Sequence, residues 1–252
     1  MVPRRLKVCD AFGIPVYLDV SFVILLAMFV TGLESFTLGL GCAVALALSV
    51  TLHELGHALS ARAFGYSTRD ITISLIGGCA SLISLPRKPW QEAVTAVAGP
   101  AVSFALSGLA WCALAFLPVS NGWTVALLWY AMSMNAMLGA FNLLPGFPMD
   151  GGRVFRSAAS LFTTRARATY WAMIVGRVFA VYLALRGLHM MFAGGSWGFV
   201  SLLIAWMIWR EGGREYEVAR LEEEYGGGGS RGWFARVSPP PYGGREDEVD
   251  VT

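Results

Sequence analysis

The chain has 252 residues, of which 56% are hydrophobic and only 14% charged. A soluble domain carries about a quarter charged residues, so this composition excludes an ordinary soluble fold and points to an integral membrane protein. The net charge of +2 offers no basic surface for nucleic acid, and no such partner is expected.

The amino-terminal stretch holds Arg4, Arg5 and Lys7 but no short apolar core with a small-residue cleavage site. It reads as a retained cytoplasmic end leading into a first span. A helix needs about 20 apolar residues to cross the hydrocarbon. Spans are therefore expected near 16–33, 38–62, 92–117, 123–144 and 170–193. The segment 197–209 is either a sixth span or a re-entrant piece. The expected fold is all-α and polytopic, with about six transmembrane segments and one small membrane-associated β-hairpin.

Span two contains the sequence HELGH, which places His53, Glu54 and His57 in otherwise apolar surroundings. His57 lies about 40° around a helix from His53, so both imidazoles reach one ion while Glu54 stands beside it. Ionisable groups at membrane depth are costly and usually functional. A hydrolytic zinc site takes three protein ligands and keeps a position for water. This helix supplies two.

Residues 70–85 differ from the spans. Ile71, Ile73 and Leu75, then Leu82 and Leu85, alternate with Thr and Ser around Gly77-Gly78. The pattern predicts a hairpin turning at the glycines. It is either a plain interfacial hairpin or an exposed strand edge on which unfolded substrate could pair, with Ile73, Gly77 and Gly78 as the binding residues. In span three, AGPAVSF (98–104) has small residues at helix-packing spacing. The four cysteines are isolated and read as packing residues.

The third ligand has few candidates. His189 is the remaining histidine, near the outer end of span five. Asp150 follows span four in FNLLPGFPMDGGR, where Pro145 and Pro148 break the helix and Gly151-Gly152 allow a reversal. Seventeen of the nineteen basic residues fall on one side of the proposed spans, the exceptions being Arg177 and Arg186 within span five. That side is cytoplasmic by the positive-inside rule. Both Asp150 and the His pair map to the cytoplasmic half, so topology lets them meet. Residues 1–209 form the expected membrane core, and 210–252 a cytoplasmic tail, charged and compatible with a short helix over 210–225, then Gly- and Pro-rich and disordered or weakly docked over the last 27 residues.

Together, HELGH, the Gly77-Gly78 hairpin and Asn142-Leu-Leu-Pro-Gly-Phe-Pro-Met-Asp150-Gly-Gly resemble the site-2 protease family of intramembrane zinc metalloproteases. The resemblance runs over residues 10–193. It implies one zinc per chain bound by His53, His57 and Asp150, with Glu54 as general base and Asn142 beside the active centre. It also implies a cell-membrane enzyme whose substrate is a single-span membrane protein, such as an anti-sigma factor or a remnant signal peptide. A non-catalytic membrane zinc carrier or sensor is the competing expectation. It would have no need of Glu54 beside the open coordination position.

Overall fold

The computed structural model describes residues 5–32, 35–74, 77–82, 88–118, 120–193 and 198–225. Leu75 and Leu85 of the expected hairpin and the tail 226–252 lie outside them. Among the described residues there are four strands and seven helices. In chain order they are β1 (Arg5–Ala11), β2 (Ile14–Asp19), α1 (Val20–Gly32), α2 (Phe36–Ala63), β3 (Thr68–Ser74) and β4 (Gly77–Leu82). Then come α3 (Pro89–Phe116), α4 (Gly122–Asn142), α5 (Asp150–Ala159), α6 (Arg165–Phe192) and α7 (Gly198–Tyr225).

Four described helices are long and apolar enough to cross a membrane: α2, α3, α4 and α6. Side-chain oxygens start three of them. Ser35 accepts from the Leu38 N–H, Asn121 from Trp123 and Thr164 from Arg167, as N-caps do. Pro89 opens α3 at a position where a missing N–H costs nothing.

The first and last expected segments have other bounds than the sequence suggests. Residues 16–19 of the expected first span are strand, and α1 has 13 residues. From Val16 onward the largely apolar run passes without Gly or Pro into the helix, which hides the change of period. The one polar mark is Asp19, whose carboxylate caps α1 by accepting from the Ser21 N–H at 2.8 Å. At the other end, the apolar start of α7 continues without interruption into charged sequence and runs to Tyr225. The expected boundary at 209/210 therefore falls in mid-helix.

α7 lies antiparallel on α6. Gly187 faces Gly198 so closely that a Cβ on Gly198 would sit 2.5 Å from the Gly187 carbonyl oxygen. Arg177 stacks on Trp209, 4.6 Å from the ring centroid, and Tyr170 meets Tyr216 at 5.4 Å. Small buried residues recur every seven positions on α7, at Gly198, Ala205, Gly212 and Ala219. That stripe lets two helix backbones approach closely. Arg177 thus lies in one continuous helix and shields its charge against an aromatic face of α7.

The hairpin is one half of a four-stranded sheet ordered β1-β2-β3-β4. β1 and β2 are antiparallel around a tight turn at Phe12 and Gly13, both with positive φ. β2 and β3 are parallel, with Val16 opposite Ile71 and Leu18 opposite Ile73. β3 and β4 are antiparallel, with Ser74 opposite Gly77 and Ile73 opposite Gly78. Gly77 and Gly78 therefore belong to β4. Ile73 is not on an edge. It sits in an inner strand and is 1% exposed, packed with Ile14, Val16, Ile71 and the α2 residues Leu46, Val50, Leu55 and Ala58. The sheet thus buries one face against the helix that carries the His pair.

Candidate metal centre

His53, Glu54 and His57 are all buried in the carboxy-terminal half of α2. Asp150 is the first residue of α5. The chain reaches it through the turn Leu143–Met149, in which Phe147 is buried and its N–H donates to the Ala172 carbonyl of α6 at 3.3 Å. A Cβ on Gly151 would lie 2.3 Å from both the Leu143 and Leu144 carbonyl oxygens. Only glycine lets α5 fold back this tightly on the end of α4. That reversal carries Asp150 to the imidazoles.

The three side chains close a triangle. His53 Nε2 and His57 Nε2 are 3.2 Å apart. Asp150 Oδ2 stands 3.3 Å from the first and 3.1 Å from the second. Ligands at 2.0–2.1 Å from a tetrahedral ion are separated by about 3.3 Å, so these atoms fit one face of a zinc tetrahedron. Among the described residues, they are the group whose ligand atoms all lie within 4.8 Å of one another.

The outward ring nitrogens are held as well. His57 Nδ1 lies 2.7 Å from the Thr95 carbonyl oxygen, which can only accept, so Nδ1 donates there and Nε2 is the nitrogen turned toward His53 and Asp150. His53 Nδ1 is 2.9 Å from Ser103 Oγ. Such contacts fix ring orientation and raise ligand basicity. Both partners come from α3, and between them lies Gly99. A Cβ there would meet His57 Nε2 at 2.2 Å and His53 Nε2 at 2.8 Å. The small residues of AGPAVSF therefore make room for two imidazoles, beyond the helix packing that their spacing suggested. The sequence named the segment; only the fold assigns Ser103 and Thr95 their contacts.

The other expected site residues fall as follows. Asn142 is the last residue of α4, half-buried, with Nδ2 donating to the Leu138 carbonyl at 3.0 Å. His189 is exposed near the far end of α6, whose opposite end lies beside α5. Ile73 belongs to the core under the sheet.

Comparison with known proteins agrees with this geometry. The model of Peptidase family M50 matches residues 41–121 and 118–183. A protein of Synechocystis sp., provisionally named a zinc metalloprotease, is 34% identical over 240 residues, covering 88% of this chain and 62% of that protein. A zinc metalloprotease of Methanocaldococcus jannaschii is 31% identical, covering 86% and 62%. The chain thus spans about three-fifths of the length of these curated relatives. The solved site-2 protease from Methanocaldococcus jannaschii superposes with a TM-score of 0.63 at 28% identity, over 84% of this chain and 95% of that one. The family match covers the HELGH helix, the α3 residues that seat its imidazoles and the aspartate that completes the triangle, and the chain belongs to Peptidase family M50.

Proposed function

We propose that this multi-pass membrane protein is a zinc endopeptidase of the site-2 type, cutting a peptide bond within or near the transmembrane segment of a membrane protein. The observation that carries this is the His53–His57–Asp150 triangle, whose two imidazoles are buried in a helix apolar enough to span a bilayer, with Glu54 adjacent. In this reading His53, His57 and Asp150 hold the metal. Zinc supplies a Lewis acid that makes water ionise near neutral pH and polarises the attacked carbonyl.

The chain's own groups do the rest. Glu54 takes a proton from the attacking water and delivers it to the departing amine nitrogen as the C–N bond breaks. Asn142, at the mouth of the turn that leads to Asp150, donates its amide to the oxyanion. Asp150 balances one unit of the metal's charge in a poorly solvated place. Thr95 and Ser103 hold the rings against rotation.

A peptide bond in a membrane helix is shielded by its own hydrogen bonds, so the substrate must unwind before attack. β4 is an edge strand of the sheet, and its outer edge suits an added strand of unwound substrate. The catalytic half of α2, the turn before α5 and the basic residues Arg153, Arg156 and Arg165 lie together, which supports a site toward the cytoplasmic side of the cell membrane. Single-span proteins such as an anti-sigma factor or a remnant signal peptide fit this geometry. The deciding experiment is Glu54→Gln in the purified chain. Zinc content at parental level with proteolysis lost is the expected result. Intact proteolysis would remove the base from the mechanism, and zinc binding with no proteolysis by the parent itself would favour a carrier or sensor.

A further inference from the structure

A second buried polar cluster lies close to the metal centre along the chain and is not explained by the chemistry. Six residues after Asp150, α5 buries the guanidinium of Arg156, 3% exposed. Its partner Glu92, in the first turn of α3, is 5% exposed. Arg156 Nε donates to Glu92 Oε1 at 3.0 Å, and Nη2 donates to the same oxygen. Arg165 Nη1, at the start of α6, donates to Glu92 Oε2 at 2.8 Å. Arg156 Nη1 donates to Glu215 of α7 at 3.2 Å. The guanidinium also lies over the Phe147 ring, 4.8 Å from its centroid, and so touches the turn that delivers Asp150.

The placement is specific. Glu92, Thr95, Gly99 and Ser103 are all buried and follow one another at three- and four-residue steps, so they form one stripe of α3. That stripe seats both imidazoles. Arg156 and Asp150 belong to the same short helix α5. The ion pair therefore joins the element that orients the two histidine rings to the element that carries Asp150. A buried ion pair is a poor source of stability, because desolvation offsets most of the attraction; fixing one arrangement against others is its better-attested use. A planar guanidinium fork fixes distance and angle together.

We propose that Glu92 and Arg156 are positioning residues that set the register of α5 on α3, and through it the spread of the three metal-binding atoms. The proposal rests on the assignment of Asp150 as a ligand. It is tested in the full-length protein by zinc dissociation, read by chelator competition, and by the visible spectrum of the cobalt-substituted form, which reports ligand number and geometry. The double variant Glu92→Leu/Arg156→Met leaves no uncompensated buried charge, since Arg165 and Glu215 have side chains 30% and 36% exposed and can be hydrated. It is expected to weaken zinc binding about 10- to 100-fold, the range for groups that orient ligands, and to lower the intensity of the cobalt bands. Arg156→Lys keeps the buried charge and hence the fold, and is expected to weaken zinc binding by a smaller factor. Parental affinity and spectrum in either variant overturn the proposal. Asp150→Ala is measured alongside: an unchanged cobalt spectrum there faults the ligand assignment, whereas a change there with none in the Arg156 and Glu92 variants faults the positioning role alone.

Discussion

The closeness of the His pair was readable because it is local: four residues of helix bring the two ring nitrogens within 3.2 Å of each other. In the proposed mechanism, replacing Glu54 with Gln removes proton transfer while keeping size and the proposed ligands. The expected loss of peptide hydrolysis is about 10²- to 10⁴-fold, with zinc stoichiometry unchanged by metal analysis. The groups behind the rings were not readable, since Thr95 contributes a backbone carbonyl and Ser103 a hydroxyl from 50 residues away. Ser103→Ala should weaken zinc binding about tenfold or more, as loss of an orienting partner does. Gly99→Ala should do at least as much, because its methyl would lie 2.2 Å from the nitrogen that faces the ion. Zinc dissociation followed by a chromophoric chelator checks both, and parental affinity in Gly99→Ala would contradict the close seating of the rings.

At the level of elements, the sheet separates what pattern can and cannot reveal. Alternation disclosed β3, yet the paired glycines read as its turn serve as strand. β1 and β2 escaped because β2 shares its apolar run with α1, and because a parallel pairing of β2 with β3 depends on residues 55 positions apart, Val16 with Ile71. This moves the test of substrate docking from Ile73, whose replacement would open the core, to β4. Neighbouring residues on a strand send their N–H groups to opposite edges. Of Cys79→Pro and Ala80→Pro, therefore, one disturbs only the outer edge. That variant should keep its zinc and lose cleavage of a membrane substrate. Full turnover by both would reject strand addition at β4.

Across the whole molecule, the charged sequence after Trp209 proves to be structural as far as Tyr225. Glu215 and Glu222 of α7 lie 3.2 and 3.8 Å from Arg156 and Arg165, and Glu223 accepts from the Ala166 N–H at 3.1 Å. Charge-rich composition suggested a tail because the partners of these acidic groups lie 57 to 59 residues upstream, on α5 and α6. A chain ended after Trp209 should lose these contacts and retain zinc less well than one ended after Tyr225, as measured by metal content after detergent extraction and dialysis. Equal retention would mean that the outer half of α7 is dispensable for the centre.

Only four residues, 64–67, connect the end of α2 to the start of β3, and they are pinned: Phe64 packs edge-on against Trp90 at 5.1 Å, and the Tyr66 hydroxyl donates to Gln91 at 3.1 Å. So short and tethered a joint works as a stiff lever arm. A tug on the ribbon by an incoming polypeptide would be felt about two to three helical turns away at the imidazoles, and slack spliced into that joint should leave capture intact while slowing scission.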